Sequence, residues 1–263
     1  MSGEPHEHTL VNSMGSSTNV NLNPFVMQSS GSRIGRHVVV SPENSGLQNL
    51  HYARIVGTAT SGPIEFQTGG FETVLICVQG RAFVLVADDL YELACYDTLY
   101  IPREMDVRVD ADGEGCDLVE AAAPVTADYP VQLTDSENAC MKGPDTTFLT
   151  GTCIKTGRIS AGISFAGAGG WMSPLGRSLN GFEQVQVYFD FPPEGWGVAL
   201  HDCGSVAPEL VSVVHPGDCV AAAGGRILTI AAPGSRIGFV WLLSAYEEGR
   251  QPAPTIEGSS QEV

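Results

Sequence analysis

Positive charge is scarce in this chain. Thirteen lysines and arginines stand against 30 aspartates and glutamates in 263 residues, a formal net charge of −17. A surface of that sign repels phosphate backbones and anionic headgroups, so neither nucleic acid nor a membrane surface is expected as a partner. A small polar or acidic ligand remains open, but an acidic one needs a cationic anchor against that field. Long apolar runs are missing too. Stretches such as Gly238 to Leu243 and Val74 to Val78 are strand-length and far below the ~18–20 residues that span a bilayer. The opening MSGEPHEHTL is acidic and lacks the basic and apolar regions of a secretory signal, so a cytoplasmic location is expected.

No CxxC pair occurs among the seven cysteines at 77, 95, 116, 140, 153, 203 and 219. That excludes zinc-ribbon and thioredoxin-like readings, and the wide spacing predicts reduced thiols, several of them buried in strands. A sustained 3.6-residue apolar period is also absent. With 43% hydrophobic and 16% charged residues the chain is globular, so wholesale disorder, collagen and coiled coil are excluded.

What is present is a series of short β-branched and aromatic runs broken by Gly, Pro and Asp at intervals of about ten residues, the pattern of an all-β sandwich or barrel. Strands are predicted at 72–78, 81–87, 98–101, 184–191, 197–201, 210–214 and 237–243. Gln79-Gly80 and the Pro-Pro-Glu-Gly stretch at 192–195 read as hairpins joining neighbouring antiparallel strands. Residues 1–30, rich in Ser, Asn and Gly, read as a flexible arm, and 251–263 as a tail.

An internal repeat organises the middle. Phe71-Glu72-Thr73-Val74 recurs as Phe182-Glu183-Gln184-Val185, an offset of 111, and the Asp97–Pro102 stretch recurs at Asp218–Ala223, an offset of 121. Two similar barrels are therefore expected, at 31–135 and 136–250, with a linker within 130–150.

A strand, a Gly turn, a strand and then Asp-x-(apolar)-x-(apolar)-Pro is the layout of a cupin. The matching stretches are Tyr91-Glu92-Leu93 through Tyr100-Ile101-Pro102-Arg103, then Trp171 leading to Tyr188-Phe189-Asp190-Phe191-Pro192, His201 to Gly204, and Gly238-Phe239-Val240-Trp241. On these the chain resembles the bicupin family of 5-deoxyglucuronate isomerase and 5-keto-4-deoxyuronate isomerase. The resemblance implies two tandem cupin (jelly-roll) barrels, with a divalent metal held in the second by His-x-His, a Glu and a third His. In this sequence the two His positions fall on Arg177 and Leu179, the Glu position on Gln184 or Glu183, and the third His on Leu228. A leucine has no donor atom and an arginine no lone pair, so no metal or other cofactor is expected.

Side chains alternate along a strand, so Gln184, Gln186 and Tyr188 share one face and Glu183 the other. The polar set suits the lining of a barrel, although aligning Glu183 with Glu72 leaves the opposite register open. His201 on the next predicted strand is a candidate general base with Tyr188 as acid, for proton abstraction beside a carbonyl. Arg177 is a candidate carboxylate anchor, and Gln184, Gln186, Glu183, Trp171 and Trp241 are candidate substrate contacts. Cys203, two residues from His201, invites a nucleophile reading, but the sequence names no third orienting group. His6-Glu7-His8 has ligand-like spacing in a polar tail. Two functions stand: a metal-independent isomerase-like enzyme acting on a small polar carbonyl compound, or a non-catalytic bicupin that binds a ligand or serves a structural role. A homodimer is expected, because barrel edges pair to cover themselves.

Overall fold

The computed structural model describes residues 25–135, 139, 141–142, 145–150, 154–173 and 180–251. Its elements are β1 (Phe25–Met27), β2 (Gly35–Val40), β3 (His51–Gly57), β4 (Ile64–Gln67), β5 (Phe71–Val86), β6 (Asp89–Leu93), β7 (Thr98–Ile101), β8 (Asp106–Pro124) and β9 (Gln132–Thr134). They continue with β10 (Met141–Lys142), β11 (Thr146–Phe148), β12 (Ile159–Ala166), β13 (Trp171–Met172), β14 (Phe182–Asp190), β15 (Gly197–Asp202), β16 (Leu210–Val214), β17 (Cys219–Ala223), β18 (Arg226–Ala231) and β19 (Ile237–Ala245). No helix occurs among the described residues.

Strands β2 to β9 form one jelly-roll barrel from a single sheet, ordered β2-β3-β8-β5-β7-β9 with β4 on β8 and β6 on β5. The second barrel faces a seven-stranded sheet, β1-β17-β14-β19-β12-β11-β10, with a four-stranded one, β13-β18-β15-β16. The repeat holds in register. Thr73 pairs with Ile101 and Ala122, and Gln184 pairs with Ala222 and Leu243, so the offsets of 111 and 121 relate the same strand neighbours in each barrel.

Strand alternation sorts the core into layers. Ile55, Leu75, Cys77, Val84 and Leu99 fill the first barrel, and Tyr188, Ala199, Val220, Phe239 and Trp241 fill the second. The intervening faces meet: Tyr52, Val74, Ile76 and Tyr100 pack in one cluster with Ile159, Ala161 and Ile163 of β12 and with Val185, Val187 and Leu242.

Two buried carboxylates cross the same boundary. Glu72 accepts the backbone N–H groups of Gly157, Arg158 and Ile159, at 2.6, 2.7 and 2.9 Å. Glu183 accepts those of Gln48, Asn49 and Leu50. Burial pushes both carboxyls above the usual range, against the pull of the three donors.

Several sequence expectations are corrected. Gln79-Gly80 is no hairpin: β5 runs through it, and bulges flanking it bend the strand so that its two halves serve different walls of the barrel. Gly80 has φ +72°, which a side chain rarely adopts. The hairpin lies instead at Ala87-Asp88, between paired Val86 and Asp89. Pro-Pro-Glu-Gly at 192–195 joins strands of different sheets, because β14 pairs with β17 and β19 while β15 pairs with β16 and β18. Residues 25–27, read as part of a flexible arm, form β1 on β17. The stretch 130–150 carries three short strands, of which β9 pairs with β7, while β10 pairs with β11 and through it joins β12.

Candidate functional site

In the second barrel, Gln184, Gln186 and Tyr188 point inward and are buried. The Tyr188 hydroxyl donates to Gln186 Oε1 at 3.1 Å and lies 2.9 Å from Thr229 Oγ1, which itself donates to Gln186 Oε1 at 2.8 Å. Gln186 Nε2 donates to the Ile227 carbonyl at 3.1 Å, so this cluster satisfies itself. Burial drives the Tyr188 phenol well above its ordinary pKa.

His201 is buried on β15 and belongs to a different group. Its Nε2 lies 3.0 Å from the Gly224 carbonyl, which also accepts Gln184 Nε2 at 3.2 Å. Cys203 Sγ stands 3.9 Å from His201 Nδ1, and Glu209 Oε2 stands 3.4 Å from the same nitrogen. Burial and the neighbouring Glu209 carboxylate raise the Cys203 thiol pKa. His201 and Tyr188 thus sit in separate hydrogen-bond groups. Arg177 lies outside the described residues, as do Leu179 and His6-Glu7-His8. Trp171 is 61% exposed on β13, whereas Trp241 is buried in the barrel. Glu183 faces the other barrel.

The metal that the resemblance implies does not fit the described positions. Leu228 points away from the interior, and its inward neighbours on β18 are Ile227 and Thr229, one without a donor and the other engaged with Tyr188. Gln184 occupies the acidic position with its amide turned to Gly224.

The first barrel holds an open cavity of about 290 Å³, lined by Arg36, His51, Phe66, Phe71, Thr73 and Glu120 among others. Arg36 donates through Nε and Nη2 to the two oxygens of Glu120, at 2.6 and 2.7 Å, and its guanidinium lies 4.5 Å from the centre of the Phe66 ring. Glu120 is buried. His51 packs edge-on against Phe71 with ring centroids 5.0 Å apart. Desolvation lowers its pKa below the ordinary 6.5, with the nearby Arg36 acting in the same direction and Glu43 and Glu120 opposing.

The repeat explains why this barrel is open. At the positions of Gln184, Trp241 and Leu243 in the second barrel, the first has Thr73, Glu120 and Ala122. Smaller side chains, and a carboxylate drawn aside by Arg36, leave room that the indole of Trp241 fills in the other copy. Sequence reasoning missed these residues; the 121-residue offset pairing Ala122 with Leu243 is the signal that would have found them.

No family model matches the chain, and no curated protein matches it. Among solved structures it superposes on an IolB-like protein from Salmonella typhimurium LT2 with a TM-score of 0.72 at 16% identity, covering 88% of this chain and 96% of that one. A cupin 2 conserved barrel domain protein from Leptotrichia buccalis gives 0.51 at 10% identity, covering 83% and 92%. The fold is that of the cupins. A mutant of Bacillus subtilis oxalate decarboxylase gives 0.62 at 13% identity, covering 92% of this chain and 80% of the decarboxylase chain. Among the described residues no helix is long and apolar enough to cross a membrane.

Proposed function

We propose that this cupin binds a small carboxylate-bearing molecule in its first barrel and transfers a proton on it. The observation that carries the reading is the open cavity that brings Arg36 and a half-buried, easily deprotonated His51 to one lining. Arg36 is oriented by Glu120 through Nε and Nη2, which leaves Nη1 outside that fork to meet an anion. The lowered pKa keeps His51 neutral near pH 7, as a general base requires. His51 takes a proton from the hydroxyl-bearing carbon beside a carbonyl, and the C–H electron pair forms a C=C bond as the carbonyl oxygen takes the negative charge. The hydroxyl proton passes to that oxygen, and return of the His51 proton to the former carbonyl carbon leaves a new carbonyl next to it and completes an isomerisation. A hexuronate or a small 3-hydroxy-2-oxo acid has the required groups.

The test is calorimetric titration with hexuronates and small 3-hydroxy-2-oxo acids against wild type, Ala122→Leu and Tyr188→Phe. Binding lost on filling the cavity with leucine, and kept without the Tyr188 hydroxyl, supports the reading. The reverse pattern moves the site to the second barrel, with His201 and Tyr188 as the acid–base candidates and Arg177 as the anchor expected from the sequence. Binding without turnover favours a ligand-binding role.

A further inference from the structure

We propose that His201, Cys203 and Glu209 form a site for one borderline-soft divalent metal ion of the zinc class, at the end of the second barrel. Nothing in the first-barrel reading depends on it. The donor atoms of the three side chains lie within 4.8 Å of one another. They offer a nitrogen, a sulfur and an oxygen, a set that suits zinc and excludes the oxygen-only preference of magnesium or calcium.

The geometry is specific. A backbone carbonyl only accepts, so the 3.0 Å contact with Gly224 places a proton on His201 Nε2 and leaves Nδ1 as the ligating nitrogen of the neutral ring. Nδ1 faces Glu209 Oε2 at 3.4 Å, an ion pair when the imidazole is protonated and two converging ligand atoms when it is neutral. A tetrahedral ion with bonds of about 2.0–2.3 Å separates its donors by roughly 3.4–3.6 Å. The Nδ1 to Oε2 distance of 3.4 Å matches that edge, whereas Cys203 Sγ lies 3.7 Å from Nε2 and 3.9 Å from Nδ1, so the exposed Cys203 side chain must turn toward Nδ1 to complete the set. Fixing a ligating imidazole through its other N–H and a backbone carbonyl is the usual support of a metal-bound histidine.

The backbone makes room for this trio. Gly225 has φ +66°, and a Cβ there would lie 2.6 Å from His201 Nε2 and 2.8 Å from Cys203 Sγ. Binding releases the thiol proton to solvent, so a divalent ion meets one thiolate and one carboxylate and the site becomes neutral. His201 and Cys203 lie on one strand end, and Glu209 follows the intervening turn, with its N–H donating to the His201 carbonyl at 3.0 Å.

The test is titration of chelator-stripped full chain with Co²⁺, read by absorption, followed by competition with Zn²⁺. One ion per chain with a thiolate-to-cobalt charge-transfer band is expected. Cys203→Ser should abolish the band, and both it and Glu209→Gln should weaken affinity by about 100-fold or more, since even outer-shell losses cost 10–100-fold. A His6→Ala/His8→Ala double variant should bind as wild type does. Absence of the band in wild type, its survival in Cys203→Ser, or its loss with the two tail histidines overturns the proposal. Cys203 and Glu209 are exposed, so their variants are expected to fold.

Discussion

Glu72 and Glu183 make the same bond pattern in opposite directions. Each carboxylate leaves its own barrel and gathers three consecutive backbone N–H groups at the strand entrance of the other. The sequence repeat that aligns them therefore marks the boundary between barrels and not a barrel lining.

Removing either carboxylate leaves three backbone N–H groups without their acceptor, Leu50 in one case and Gly157 and Ile159 in the other being buried bonds, while relieving the burial penalty on the charge. Glu72→Ala and Glu183→Ala should each lose about 1–3 kcal/mol of stability. Urea unfolding checks this, with Glu194→Ala in an exposed turn as the control expected to match wild type.

His51 gives a pH dependence with a defined sign. Its folded pKa lies below 6.5, so its contribution to stability is present above 6.5 and is lost as pH falls through the folded value. The acid limb of any His51-dependent activity should also fall below 6.5. Following the His51 ring proton by NMR against pH, with His51→Ala to assign it, measures the value directly.

Gly80→Ala tests the bent strand. The new Cβ would overlap the Gly115 carbonyl oxygen and take a left-handed φ, so a loss of about 2 kcal/mol or more is expected in thermal unfolding. A neutral result would mean that β5 does not turn there as described.

The Tyr188–Thr229 contact is measurable by a double-mutant cycle of Tyr188→Phe and Thr229→Val. A coupling of about 0.5 kcal/mol or more is expected, because the two hydroxyls share Gln186 Oε1 as acceptor.

The all-β class was legible because strand alternation and turn residues are local signals. The long strands were not: Gly80 carries the residue type of a hairpin, and only the unbroken partner strand β8 shows that the chain continues. Alternation put Gln184, Gln186 and Tyr188 on one face, but the choice of the inward face stayed open because Glu183 aligns with Glu72, and only the Glu183 contacts to the other barrel separate the two registers. Arg36, His51 and Glu120 were missed because they come from three strands, and Glu120 is brought to the other two only by the pairing of β8 with β3 across a long sequence separation. For the His201–Cys203 pair the spacing was visible, while Glu209 required the course of the turn.

The pairing of β1 with β17 orders assembly in time. Phe25 faces Ala221 across that ladder, 196 residues later in the chain. At a synthesis rate of roughly 5–20 residues per second, β1 waits about 10–40 s for its partner to be made. During that interval an unpaired segment is exposed to other chains, and the last barrel to form is the one that shelters it.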